Sequence, residues 1–220
     1  MDSWDVTTSS QPAGGAGGRA GGGPPAGRTQ GTGSHETHGT RTIGVAIPIP
    51  DPYGRELQRV RESFGDRLAA GIPTHITLLP PSQIDAAELG AIERHLAEVA
   101  RTERPFRIRL HGTGTFRPVS PVVFVALAEG KDGCARLHAK VLAGPPGQRP
   151  QFPYHPHVTV AHHLSDEQMD RAYKEMADYE AAFQVWGFSL YEHGADGVWR
   201  PRRGFLFGTG AVTTPPGRDA

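Results

Sequence analysis

Between residues 41 and 208, apolar residues recur in some segments at the two-residue period of a strand and in others at helical spacing. This pattern predicts strands that alternate with helices. Residues 42–49 alternate in polarity and are rich in β-branched side chains, which is typical of a strand. Leu57, Val60, Phe64 and Leu68 recur at helical spacing, so we expect a helix from about 51 to 70. A short strand at 75–79 ended by two prolines, a helix at 85–101 and a strand from 106 to 111 follow.

The second half of the chain repeats this order. We predict a strand at 122–127, a helix at 130–143, a loop at 144–156 that is rich in proline and glycine, and a strand at 157–161. Ser165 and Gln168 form a capping box that starts a helix reaching about 179. Strands at 183–192 and 198–207, joined by a turn at 195–197, end the pattern.

The unit strand–helix–strand–helix–strand therefore occurs twice, which predicts two similar lobes of an α+β fold. We place the lobes at about 41–115 and 121–208, within a domain of residues 41–212. An approximate two-fold axis between such lobes would bring their central strands together at a shared cleft.

Composition limits which residues we expect to fold. Eleven of the 29 glycines lie in the first 40 residues, a stretch with too few apolar side chains to offset the entropy lost on ordering. We predict flexible ends at residues 1–40 and 213–220. The 23 basic and 23 acidic residues balance, which argues against a broad nucleic-acid-binding surface.

The single cysteine and the lack of long apolar runs limit the cellular compartments in which we expect the protein. Cys134 cannot form an intramolecular disulfide, and we expect a packed structural thiol. No signal-peptide pattern and no run of about 18 apolar residues is present. We therefore expect a cytoplasmic protein that acts as a monomer, away from membranes.

The tripeptide His-x-Thr occurs five times, starting at His35, His38, His75, His111 and His157. Only His75 and His157 begin strands in which apolar residues fill the positions between and after the polar pair. They are 82 positions apart, close to the spacing of the repeat. Because side chains alternate along a strand, each histidine and its threonine, Thr77 or Thr159, should share one face.

This pairing suits chemistry at phosphorus. Histidine has an unperturbed pKa of about 6.5 and can serve as a base or as an acid near neutrality. Threonine hydroxyls can donate hydrogen bonds to phosphate oxygens on which negative charge develops. We therefore expect His75 and His157 to flank one phosphate, without a cofactor or metal, but the residues alone leave open which histidine is the acid.

The paired motifs His75-Ile76-Thr77-Leu78 and His157-Val158-Thr159-Val160 resemble those of the two-histidine (2H) phosphoesterase superfamily, and in particular the bacterial 2′-5′ RNA ligase-like proteins. Residues 112–118, followed by the strand at 122–127, are also similar to that family. The resemblance covers about residues 41–208. It implies a bilobal fold of two antiparallel sheets with outer helices and a central cleft.

The same resemblance implies a metal-independent cyclic phosphodiesterase or 2′-5′ RNA ligase, in which His75 and His157 are the acid and base and Thr77 and Thr159 bind phosphate. The expected partners are RNA ends or small nucleotides that carry a cyclic phosphate. The family often has a small or basic residue after its second motif, where this chain has His162-His163.

Three further residues are candidates for substrate binding, and two other functions remain open. Phe116 and Tyr154 could stack on a base, and Arg117 could hold a phosphate, although packing or a surface role would also explain them. The first alternative function is a binding module for RNA ends or nucleotides that has lost turnover. The second is a metal-dependent hydrolase using the histidines between His155 and His163.

Overall fold

The computed structural model describes residues 39–147, 152–209 and 212–213, and the predicted flexible ends lie almost entirely outside these residues. The strands are β1 (Thr40–Pro48), β2 (His75–Asp85), β3 (Phe106–Thr115), β4 (Val122–Glu129), β5 (His157–His162), β6 (Glu180–Val185), β7 (Gly187–His193), β8 (Trp199–Leu206) and β9 (Val212–Thr213). The helices are α1 (Tyr53–Ser63), α2 (Leu89–Thr102), α3 (Lys131–Leu142) and α4 (Asp166–Glu175).

The strands form two antiparallel sheets, which confirms the predicted α+β fold. The first sheet has the order β2-β1-β7-β8-β9 and the second has the order β5-β4-β3-β6. The sheets do not divide the chain where we predicted the lobes to divide. Strand β3, from the first half, lies in the second sheet, while β7 and β8, from the second half, lie in the first sheet.

The apolar faces predicted from the sequence build the core. Leu89, Ile92, Leu96 and Val99 of α2 are buried as expected, and α2 packs against α3 and β8. At the start of α4, Ser165 accepts a hydrogen bond from the backbone of Gln168, and the Gln168 side chain accepts one from the Ser165 N–H. This reciprocal pair confirms the predicted capping box.

Helix α1 ends at Ser63 and not near residue 70. Gly65 follows with φ of +92°, a conformation that glycine adopts without a steric penalty and that interrupts a helix. Leu68 is 51% exposed, so its helical spacing after Phe64 does not correspond to a buried position. The chain between α1 and β2 is instead held by polar contacts with α1.

Strand β2 runs through Pro80-Pro81, which we had expected to end it, and reaches Asp85. Among the described strands it is an edge strand paired with β1 alone, and its register with β1 shifts where the prolines lie, between Leu79 and Ser82. A proline lacks the N–H needed for a ladder bond, and an edge strand with a bulge tolerates that loss.

Two other segments differ from the sequence prediction. The predicted single strand at 183–192 is divided at Trp186, where the chain passes from β6 in one sheet to β7 in the other. Residues 112–114 lie beyond the predicted strand of 106–111 but belong to β3. There the ring of Phe124 lies over Gly114, and a Cβ on that glycine would lie 2.4 Å from the ring.

In the part of the chain that the structure describes, no helix is long and apolar enough to span a membrane.

Candidate active site

The two candidate histidines occupy equivalent places in the two sheets. His75 is the first residue of β2 and His157 is the first residue of β5, and each strand is the edge of its own sheet. The two edge strands contact each other. Thr77 and Thr159 follow two residues later, so each lies on the same face of its strand as the preceding histidine. The fold therefore brings both motifs to the contact between the sheets.

Both imidazole rings are oriented by the same local contact. Nδ1 of His75 lies 2.5 Å from the carbonyl oxygen of Pro73, and Nδ1 of His157 lies 2.7 Å from the carbonyl oxygen of His155. A carbonyl only accepts hydrogen bonds, so we assign the proton of each neutral ring to Nδ1. The lone pair then lies on Nε2, which is the nitrogen that can take a proton from a reactant.

The environment of His75 favours its neutral form. The side chain is only partly exposed and protein surrounds it, and this burial lowers its pKa from 6.5 to about 3. The bond to the Pro73 carbonyl acts in the opposite direction, while the charges of Arg61 and of a protonated His157 lower the pKa further. That electrostatic effect also indicates that the two motif histidines lie within interaction distance.

Arg61 of α1 is a buried cation beside this site. It is 4% exposed, and its NH2 atom lies 2.8 Å from Oδ2 of Asp66. It also donates a hydrogen bond of 2.8 Å to the carbonyl of Ile72. Gln58, from the same helix, donates to the carbonyl of Ala69 and accepts a hydrogen bond from Thr74. These contacts fix the segment that leads into His75.

Two side chains from the second half of the chain form hydrogen bonds with the backbone of β2 after His75. The Tyr154 hydroxyl donates to the carbonyl of Thr77 at 2.9 Å, and Nδ1 of His138 lies 2.7 Å from the carbonyl of Leu78. The rings of Tyr154 and His138 stack at 3.9 Å with 6° between their planes. Tyr154, predicted as a base-stacking candidate, thus contacts the motif strand and has one face covered by His138.

Aromatic rings surround His157. Phe116 lies edge-on to the imidazole with 4.9 Å between centroids, and the centroid of Phe124 is 5.1 Å from that of His157. Phe116 and Phe124 also contact each other at 4.6 Å, and Phe116 contacts His155 at 5.5 Å. The structure therefore brings Phe116 to the candidate site, where it packs against the histidine.

Arg117 makes different contacts. Its NH2 atom lies 2.6 Å from Oδ1 of Asp170 and its NH1 atom lies 3.5 Å from Oδ1 of Asp166. The hydrogen bond to Asp170 raises the pKa of Arg117. Two carboxylates of α4 thus already offset the charge of this side chain, which weighs against the phosphate-binding role considered from the sequence.

Three residues near the site were not singled out from the sequence: Arg61, Phe124 and His138. For Arg61 and His138, the sequence contains a weak indication of a buried position. Arg61 stands four residues after Leu57 on the apolar side of α1, and His138 stands next to Leu137 in α3, and both positions are buried. A polar side chain at a buried helical position requires a hydrogen-bond partner, but only the tertiary structure identifies that partner.

The histidines between 155 and 163 do not assemble a three-ligand centre. The rings of His155 and His157 are 6.2 Å apart, and those of His162 and His163 are 4.0 Å apart. Within the described ranges, no group of three or more histidine, cysteine, aspartate or glutamate side chains is placed to hold a metal ion. Cys134 is buried and its pKa is raised to about 12 by burial, as expected for a packed thiol.

Two sheets that meet at paired His-x-Thr strands define a class of protein, and comparison with known sequences places the chain within it. The family model described as the 2′-5′ RNA ligase superfamily matches residues 49–197. The chain therefore belongs to the 2′-5′ RNA ligase superfamily of 2H phosphoesterases, which confirms the resemblance noted from the motifs.

Individual relatives agree with this assignment. A protein of Bacillus licheniformis, provisionally named a phosphoesterase, is 28% identical over 159 residues, which cover 70% of this chain and 94% of the relative. A provisionally named phosphoesterase of Bacillus pumilus is 30% identical over 117 residues, covering 52% of this chain and 68% of the relative. These relatives support phosphoesterase activity in general.

Solved structures with the same fold are more distant in sequence. The structure of E. coli LigT complexed with 3′-AMP superposes with a TM-score of 0.53 at 18% identity, covering 77% of this chain and 99% of LigT. TT0787 of Thermus thermophilus gives a TM-score of 0.52 at 21% identity, covering 76% of this chain and 98% of TT0787. At these identities the likeness concerns the fold.

Proposed function

We propose that this chain is a metal-independent phosphodiesterase that opens 2′,3′-cyclic phosphates at RNA ends or on nucleotides, with His75 and His157 as general base and general acid. The observation that carries the proposal is the matched anchoring of the two rings. Each histidine is the first residue of an edge strand at the contact between the sheets. The Nδ1 atom of each ring forms a hydrogen bond with the carbonyl oxygen two residues earlier. Two equivalent rings suit a reaction that needs a proton acceptor and a proton donor.

The electrostatics favour His75 as the base. Burial and the charge of Arg61 lower its pKa and keep the ring neutral, which is the form that accepts a proton. In the proposed step, Nε2 of His75 removes a proton from water as the water oxygen bonds to phosphorus. The bond from phosphorus to the 2′ or 3′ oxygen breaks, and protonated His157 donates a proton to that oxygen. The product is a phosphate monoester.

The threonines complete the site. Thr77 and Thr159 lie two residues after the histidines on the same strand faces. Their hydroxyls would donate to the non-bridging oxygens, where negative charge increases as water adds. Tyr154 and His138 hold the carbonyls of Thr77 and Leu78, so β2 presents His75 and Thr77 from a fixed backbone.

A nucleotide substrate is supported by the structural relatives. One solved structure of E. coli LigT is a complex with 3′-AMP, and another is a complex with NADP+. The name of the superfamily also favours a related reaction, in which a 5′-hydroxyl replaces water as the nucleophile, the bond from phosphorus to the 3′ oxygen breaks and a 2′-5′ bond forms. In that reaction His75 would remove the proton of the 5′-hydroxyl and protonated His157 would donate a proton to the departing 3′ oxygen, so that each keeps its role.

The test is turnover of an oligonucleotide that ends in a 2′,3′-cyclic phosphate, measured in EDTA. We expect hydrolysis by the wild type and a loss of at least about 10²-fold in His75→Ala and in His157→Ala. His111→Ala is the matched control, because His111 begins another His-x-Thr tripeptide but is exposed on β3. It should retain wild-type activity.

Two results would contradict the proposal. Activity that is absent in EDTA and restored by zinc or manganese would favour a metal-dependent hydrolase. Absence of turnover with retained nucleotide binding would favour a binding module.

A further inference from the structure

An apolar groove lies on the first sheet beside the candidate site. Its volume is about 230 Å³, and it lies past the point where the ladder between β1 and β7 ends, at the pair Ala46 and Ser189. Residues from five strands and from the β6–β7 junction line it, among them Pro48, Trp186 and Leu206. Sites that enclose a whole drug-sized ligand measure about 300–1,000 Å³, so this groove suits one part of a ligand.

The strand register places this groove on the same face as the two motif residues of β2. Pro48 pairs directly with His75, and Ala46 pairs with both Thr77 and Ser189. Residues directly opposite each other on antiparallel strands point to the same side of the sheet. Neighbouring strands are about 4.8 Å apart, so the groove begins one strand away from His75.

The lining chemistry selects against a second phosphate. Among the described residues that form the groove, none carries a charged side chain, and the polar side-chain groups are the amide of Gln184, the hydroxyls of Ser189 and Thr213 and the indole N–H of Trp186. A charged group would have no opposite charge there to offset its desolvation. A planar ring with polar edges would lose less solvation free energy on entering the groove, because uncharged donors and acceptors border it.

Trp186 is the most distinctive side chain of the groove. It is 63% exposed, although it stands at the junction where the chain passes between the sheets, and neighbouring Leu206 is 38% exposed. An indole this accessible offers a flat face, and bases stack on aromatic side chains with little dependence on their identity.

We propose that this groove binds the nucleobase of the nucleotide whose phosphate lies between His75 and His157, with the base stacked on Trp186. The proposal rests on the proposed function, because it takes the phosphate position from that site. It makes Trp186 a residue that selects nucleotides over phosphate esters without a base, and it predicts broad tolerance for the identity of the base.

The experiment compares binding of 3′-AMP and of inorganic phosphate to the full chain by calorimetry, for the wild type and Trp186→Ala. Inorganic phosphate probes only the site between the histidines, whereas 3′-AMP also probes the groove. Stacking on an aromatic side chain contributes about 1–3 kcal/mol per base. We therefore expect Trp186→Ala to raise the Kd for 3′-AMP by about 5- to 150-fold and to leave the Kd for phosphate unchanged.

Two variants control for the loss of an exposed aromatic side chain. Trp186→Phe should retain most of the affinity for 3′-AMP, because a phenyl ring still offers a stacking face. Tyr173→Ala removes a ring that is 40% exposed on α4, outside the groove, and should change neither Kd.

An unchanged Kd for 3′-AMP in Trp186→Ala would overturn the proposal, and so would an equal weakening of 3′-AMP and phosphate. Failure of the proposed function is distinguishable from these results. A wild type that does not hydrolyse cyclic phosphates would still show whether 3′-AMP binding depends on Trp186, because calorimetry does not require turnover.

Discussion

Replacing His75 by asparagine should remove a large part of the acid sensitivity of the fold. The pKa of His75 is about 3 in the folded protein, compared with 6.5 for an unperturbed histidine. Below pH 6.5 the unfolded chain therefore binds a proton that the folded protein does not bind. The stability that the neutral ring provides is complete above pH 6.5 and decreases as the pH falls towards 3.

The size of the effect follows from the two pKa values. One pKa unit corresponds to about 1.4 kcal/mol, and pH 5 lies 1.5 units below the unfolded value. Between pH 7.5 and pH 5 the wild type should therefore lose up to about 2 kcal/mol of unfolding free energy through His75. Asparagine does not titrate, and its side-chain amide can still donate to the Pro73 carbonyl.

Urea unfolding at pH 7.5 and pH 5.0 measures this difference. We expect the wild type to lose about 2 kcal/mol more than His75→Asn between the two pH values. His157→Asn serves as the comparison, because it removes the histidine of the other motif and retains His75. Equal pH dependence in the wild type and in His75→Asn would refute the reasoning, since it would mean that the folded protein protonates His75 as readily as the unfolded chain does.

Further predictions concern the contacts around the site. Arg61→Met should destabilise the fold by about 3–5 kcal/mol in urea unfolding, because it leaves a buried carboxylate unpaired. Arg55→Met, which breaks an exposed pair, should change stability by less than about 1 kcal/mol. Tyr154→Phe should cost about 0.5–1.5 kcal/mol through the lost bond to Thr77 and should lower kcat/KM, and an unchanged rate would argue against a positioning role. The pH–rate profile of hydrolysis should be bell-shaped, with an acid limb well below pH 6.5 because burial lowers the pKa of the base. An acid limb centred at pH 6.5 or above would contradict that assignment.

Local patterns in the sequence were sufficient to predict most helices and strands and to identify the two His-x-Thr motifs. The period-two runs located the strands that begin at His75 and His157, and the capping box located the start of α4. These signals succeed because they depend on neighbours within a few residues. The repeated order of elements also predicted that the two His-x-Thr strands meet, and in the structure these strands are the contacting edge strands β2 and β5.

The exchange of strands between the sheets was decided only by the tertiary structure. β3 and β7 pair with strands from the opposite half of the chain, and the periodicity of a strand does not specify its pairing partner. The division of the predicted strand at Trp186 follows from the same exchange, because the chain must change sheets there. The groove beside Trp186 exists only once β1, β7 and β8 are assembled.

The surroundings of the histidines also depend on contacts that are distant in sequence. Tyr154 reaches the carbonyl of Thr77 from 77 positions away, and His138 reaches Leu78 from 60 positions away. The sequence by itself determined which side chains can carry proton transfer, because that property belongs to the residue type. The tertiary structure decided how strongly His75 resists protonation, because burial and the charge of Arg61 arise only when distant segments pack together.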